Sequence, residues 1–67
     1  MKFKVGDKVN VKEFNCTGTV IGIYSNELYP YLLEIIEGYF IFTFYFPEND
    51  LELINETSSS NDNASIN

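Results

Sequence analysis

Tyr31-Leu32-Leu33-Glu34-Ile35-Ile36-Glu37-Gly38-Tyr39-Phe40-Ile41-Phe42-Thr43-Phe44-Tyr45-Phe46 is the stretch that decides the fold. Nearly every position is β-branched, aromatic or Leu, and one glycine interrupts the run. Such a segment predicts two strands joined by a tight turn at Glu37-Gly38. A two-residue turn there places Ile36 opposite Tyr39 and Ile35 opposite Phe40. Because successive strand residues point to opposite faces, Tyr31, Leu33, Ile35, Phe40, Phe42, Phe44 and Phe46 then share one face. Leu32, Glu34, Ile36, Tyr39, Ile41, Thr43 and Tyr45 share the other. The phenylalanine side is the expected core, since aromatic side chains dominate buried area in a small domain. The second face cannot share that interior. It is either covered by other segments or forms an apolar contact surface.

Outward from this hairpin the period stays at two. Val9 and Val11 alternate with Lys8, Asn10 and Lys12, giving a first strand with one wet face, preceded by a turn at Val5-Gly6-Asp7 and an arm carrying Phe3. A second strand is expected over residues 18–24, where Gly18 and Gly22 permit a bulge or bend. A polar loop over residues 25–30 ends at Pro30. Pro47-Glu48-Asn49-Asp50 predicts one helical turn, and Leu51-Glu52-Leu53-Ile54 a short last strand. Residues 55–67 are almost wholly polar and predict a disordered polar tail. The expectation is therefore an all-β domain over residues 1–54, a small five-stranded barrel that hides the edges an apolar sheet would otherwise offer to aggregation, followed by that tail at 55–67.

Composition narrows the chemistry. The chain has 67 residues, six Phe and five Tyr but no Trp, a single cysteine and no histidine. Without histidine the usual general base near neutral pH and the commonest metal ligand are missing. Lone Cys16 can form neither an intramolecular disulfide nor a cysteine zinc site, and with no basic group near it in sequence it reads as a semi-buried filler. No catalytic residue, cofactor site or metal site is expected. The N-terminal segment has no apolar core of a signal peptide, and no 18-residue apolar run occurs, so a cytoplasmic protein without a membrane span is the expectation.

Charge is partitioned along the chain. Lys2, Lys4, Lys8 and Lys12 are the only basic residues, and 55 residues follow with none, although the net charge is −6. The first twelve residues carry +3 and the remainder −9. A surface of one sign repels phosphates, so direct nucleic-acid binding is disfavoured. The same surface steers association with a basic protein.

Phe3-Lys4-Val5-Gly6-Asp7-Lys8-Val9-Asn10-Val11, Gly18-Thr19-Val20-Ile21-Gly22-Ile23, Tyr29-Pro30-Tyr31-Leu32-Leu33-Glu34-Ile35 and Phe46-Pro47-Glu48-Asn49-Asp50-Leu51-Glu52-Leu53-Ile54 give the chain a resemblance to SH3-like barrels of the KOW and Tudor type. It resembles in particular small SH3-like proteins of bacteria and their phages. Relatives often show V-G-D-x-V-x-V, G-x-V-x-x-I, P-Y-x-V-x-F-x-D-G and x-x-D-L-x-x-I at these places. The likeness spans the whole expected domain and implies the barrel fold, whereas the fold itself hosts many functions. One departure stands out: Ile36-Glu37-Gly38-Tyr39-Phe40-Ile41 is apolar where relatives carry a polar turn.

These features predict a non-enzymatic, acidic protein-binding module, with a phage or mobile-element accessory role, as an inhibitor or modulator of a basic nucleic-acid-handling host or defence protein, implied by the resemblance. The expected contact residues are Glu34, Ile36, Glu37, Tyr39, Ile41 and Tyr45, with Tyr39 and Ile41 as apolar anchors inside an acidic rim. Two alternatives stay open: a KOW-like nucleic-acid or ribosome-associated module using Lys2, Lys4, Lys8 and Lys12, and a structural protein whose apolar face pairs with a second copy as a homodimer. A methylated-cation cage of the Tudor kind would draw on Tyr24, Tyr29 and Tyr39 with Glu27 or Glu37.

Overall fold

The structure, a computed structural model, describes residues 2–54. The expected tail at 55–67 lies outside the described residues. Among the described residues five antiparallel strands form one sheet: β1 (Lys8–Val11), β2 (Cys16–Ile23), β3 (Tyr31–Glu37), β4 (Phe40–Phe46) and β5 (Leu51–Leu53), with a single 3-10 turn at Glu48–Asp50. Their hydrogen-bonded order is β4-β3-β2-β1-β5, so consecutive strands are neighbours until the chain returns to lay β5 beside β1. No helix among the described residues is long and apolar enough to cross a membrane.

The core grows from the alternation seen in β1. Val9 and Val11 are fully buried while Lys8 is exposed and Asn10 half-exposed. Opposite them, Val9 pairs with Gly18 and Leu53, and Val11 with Cys16 and Leu51. Val20 of β2, then Tyr31, Leu33 and Ile35 of β3, with Phe46, Leu51 and the arm residue Phe3, complete the cluster. Each fully buried Val or Leu contributes about 1.5–3 kcal/mol of burial free energy, a large share of what a domain this small can gather.

Gly18 is a close-approach position. A Cβ there would sit 3.1 Å from both Ile35 Cγ1 and Leu33 Cδ1 and 3.3 Å from the Glu34 carbonyl oxygen. The bare backbone lets the β3 side chains lie over β2 into the core. Farther along, the β2–β3 ladder jumps from Val20↔Leu33 to Gly22↔Leu32, leaving Ile21 as the extra residue of a bulge. That irregularity falls where the two glycines of the strand allowed for one.

Tyr31 ties three segments together. Its ring is wholly buried and packs edge-on against Phe3 with centroids 5.3 Å apart. Its hydroxyl accepts hydrogen bonds from the backbone N–H groups of Lys2 (3.1 Å) and Phe3 (3.2 Å) and donates to Glu48 Oε1 at 3.0 Å. A phenol can host this set only if its one proton and its lone pairs are all used. Among the described residues no buried side-chain polar atom is left without a partner.

The hairpin turn sits one residue later than the sequence suggests. The two-residue loop is Gly38-Tyr39, closed by Glu37↔Phe40, with Ile36↔Ile41 and Ile35↔Phe42 following. Gly38 takes φ 62°, which a two-residue hairpin tolerates best with glycine at its first position. Since every cross-strand pair moves by an even step, the division into two faces survives the shift.

The expected phenylalanine core does not. Phe46 is buried, but Phe44 (52% exposed), Phe42 (41%) and Phe40 (67%) are open. The reason is position in the sheet. β3 has β2 on its other side and sends Tyr31, Leu33 and Ile35 over Gly18 and Val20, whereas β4 is the end strand and nothing among the described residues lies beyond it. Interior packing is used up at the base of the hairpin, at Tyr31↔Phe46, and thins towards its tip.

Candidate functional site

β4 is exposed at six of its seven residues, and those six include no ionisable group other than the Tyr45 phenol. Ordinary half-buried strands hide one face, so a strand apolar on both faces and covered on neither marks a contact surface more strongly than scattered apolar residues would.

The two faces differ. On one, Glu34, Ile36, Ile41, Thr43 and Tyr45 lie together: Ile36 pairs with Ile41 (62% and 64% exposed), Glu34 with Thr43. Tyr39 stands fully exposed in the turn beside them. Glu37 pairs with Phe40, and by alternation the two share the opposite face with Phe42 and Phe44. Of the six residues singled out by sequence, four are therefore gathered on one face, Tyr39 caps its end, and Glu37 belongs to the phenylalanine side. On that side Phe40, Phe42, Phe44 and Phe46 form a continuous file, the first three stacked with centroids 6.2 Å apart and Phe44–Phe46 edge-on at 6.5 Å. Composition and alternation predict this file inside, and the structure leaves Phe40, Phe42 and Phe44 open. The available signal to the contrary was that β4 is apolar on both faces, which is as compatible with an uncovered end strand as with a buried one.

Two hollows flank the hairpin. One of about 520 Å³ is lined by Tyr24, Glu27, Leu28, Tyr29 and Tyr45, with Tyr24 and Tyr45 in edge-on contact at 5.8 Å. Tyr24, Tyr29 and Glu27 thus meet as the cage reading requires, but Tyr45 occupies the place expected of Tyr39, and Glu37 is not part of it. The other, about 480 Å³, is lined by Phe14, Cys16, Ile35, Glu37, Phe44, Tyr45 and Phe46, and so lies mainly on the phenylalanine side. Cys16 is a half-buried free thiol packed against the core, in the filler position its sequence context suggested.

The lysines are set apart from this region. Lys8 opens β1, two strands removed from β3. Lys4 pairs with Asp7, Nζ to Oδ1 at 3.2 Å, while the Lys4 backbone N–H donates to Asp7 Oδ2 at 3.0 Å. That backbone hydrogen bond, helped by the Lys4 ammonium, holds the Asp7 carboxyl below the ordinary carboxylate value. Lys2 lies over the Phe3 ring, 5.5 Å from its centroid. Among the described residues no group of three His, Cys, Asp or Glu is placed to hold a metal ion.

Compared with protein-family models, with curated proteins and with solved structures, the chain matches none of them.

Proposed function

We infer that this chain is a non-enzymatic protein-binding module, an SH3-like barrel in architecture, that docks a basic protein through the outer side of its β3–β4 hairpin. The carrying observation is the exposure of Ile36, Tyr39, Ile41 and Tyr45 together on an acidic chain with a lysine-free hairpin. The strand order with β5 returning beside β1 supports the SH3-like reading. Tyr39 and Ile41 act as apolar anchors, and Glu34 beside them and Glu37 at the hairpin tip steer approach of the positive partner. A nucleic-acid-handling protein offers such a positive surface. In the version the family resemblance favours, a cytoplasmic phage or mobile-element accessory protein occupies that surface and inhibits or redirects its owner.

The test is capture from a bacterial lysate with the wild type beside Tyr39→Glu and the double variant Glu34→Gln/Glu37→Gln. The expected result is a basic protein retained by the wild type, lost with Tyr39→Glu, and bound several-fold more slowly by the double variant at low salt. A gel shift showing tight, salt-dependent nucleic-acid binding that disappears when Lys8 and Lys12 are replaced by Gln would overturn this reading in favour of a KOW-like module.

A further inference from the structure

We propose that the free edge of β4 pairs antiparallel with the β4 of a second copy, about a two-fold axis at Thr43, joining two five-stranded sheets into one.

The two-residue loop makes Glu37 and Phe40 a hydrogen-bonded pair, so along β4 the backbone groups of Phe40, Phe42, Phe44 and Phe46 point to β3. Those of Ile41, Thr43 and Tyr45 therefore point away from the sheet, where no strand among the described residues meets them. An uncapped row of donors and acceptors on a seven-residue strand is a template for another strand. Native edges of this kind are normally blunted by Lys, Pro or a charge pointing inward, and β4 has none of these.

The occupant is argued from the sequence of the strand itself. Phe40-Ile41-Phe42-Thr43-Phe44-Tyr45-Phe46 is near-palindromic about Thr43. Under a two-fold axis there, Thr43 meets Thr43, Ile41 meets Tyr45, Phe42 meets Phe44 and Phe40 meets Phe46, all on matching faces. Each outward-pointing residue then meets an outward-pointing residue, so every free N–H and C=O of Ile41, Thr43 and Tyr45 gains a partner. Shifting the axis along the strand leaves part of that row unpaired. Cross-strand aromatic pairs and a Thr–Thr contact are among the favourable sheet pairs.

Charge fits a second copy despite the −6 that each chain carries. The paired strands are uncharged, and the two Glu34 side chains on the strands beside them are three strand spacings apart, about 14 Å. That exceeds the screening length of about 8 Å at physiological ionic strength. With aromatic side chains of about 150–250 Å² each, the exposed apolar surface of β4 is on the order of several hundred Å² per copy, and pairing at the edge covers the part of it beside the seam. Residues 55–67 of the same chain, with only Ala64 and Ile66 as apolar groups, lack the alternation to compete for the edge. The pairing consumes the β4 edge of both copies and so closes at two.

Sedimentation of the full chain over a range of concentration and salt tests this. The expected result is a monomer–dimer equilibrium that strengthens as salt screens the two acidic chains, opposite in sign to capture of a basic partner, so failure of either reading is seen separately. Thr43→Lys, at an exposed position, should weaken dimerisation at least tenfold while leaving the circular dichroism spectrum unchanged. Independently of whether that variant folds, oxidation of Cys16→Ala/Thr43→Cys should yield a disulfide-linked dimer, because directly opposed cysteines fall within bridging distance, whereas Cys16→Ala/Ile41→Cys should not. A monomer at every concentration and salt, species growing without limit beyond the dimer, or equal cross-linking at positions 41 and 43 would overturn the proposal.

Discussion

The two ends of the sheet solve the same problem in opposite ways. β5 is three residues long, is entered straight from a 3-10 turn, buries Leu51 against Val11 and faces solvent with Glu52, whose carboxylate lies 3.4 Å from Asn10 Nδ2. It is short, charged and tied to the core, as a protected edge should be. β4 is seven residues long and uncharged, and buries only Phe46. The difference teaches that apolar content does not decide whether a strand stabilises this domain. Its neighbours do. Leu51 and Val11 hold the fold, while Phe40, Phe42 and Phe44, larger and more hydrophobic in total, stay exposed.

The largest expected effect sets a residue of one end against a residue of the other. Leu51→Ala should cost about 2–5 kcal/mol in urea unfolding, enough to unfold much of a domain this size, because it empties a fully buried site. Phe42→Ala should cost well under half of that despite deleting more carbon, and should raise solubility. Equal losses at the two positions would dissolve the distinction between them. Next in size is Tyr31→Phe, which leaves the buried Phe3 N–H and the part-buried Lys2 N–H without their acceptor. A loss of about 1–3 kcal/mol is expected on thermal or urea unfolding, and an unchanged midpoint would mean that the arm is not secured there.

Gly38→Ala probes the open end alone. At φ 62° an added Cβ meets no neighbouring atom but suffers backbone strain, about 1–2 kcal/mol for a left-handed residue. The effect should be read in amide exchange of the β3–β4 ladder, with β1 and β5 little changed. The smallest effect belongs to the Lys4–Asp7 turn at the closed end. Asp7 is held below the ordinary carboxylate value when folded, so its contribution is complete above that value and disappears as pH falls through the depressed one. Acid unfolding of Asp7→Asn should lack this small component, and an identical acid limb in both proteins would show that the turn contributes nothing.

Much of this was legible in the residues. Alternation in Val9 and Val11, glycines at 18 and 22, and the aromatic run around Gly38 marked the strands, the bulge and the hairpin, because period and turn chemistry are local. The turn was displaced by one residue because Glu37-Gly38 and Gly38-Tyr39 both contain the required glycine, and only backbone geometry says that Gly38 comes first in the loop. Face membership survived that displacement. Coverage of a face did not follow from it: whether Phe42 is inside depends on which strand lies beyond β4, a long-range fact that no local period carries. For the contact residues the same limit applies. Parity joined Glu34, Ile36, Ile41 and Tyr45, but the meeting of Tyr45 with Tyr24 and Tyr29 comes from the path of the β2–β3 loop.

The hydroxyl of Tyr31 also dictates a timetable. Lys2 and Phe3 are synthesised before the group that anchors them, which is made 28 residues after Phe3, and the carboxylate oriented against it, Glu48, follows a further 17 residues on. One edge of β1 waits longer, since its partner β5 follows the other described strands. Domains generally fold as units as the chain is made. The arm therefore stays unfastened until Tyr31 is made, and a chain truncated before Glu48 would hold it on the Tyr31 hydroxyl without the carboxylate oriented against that group.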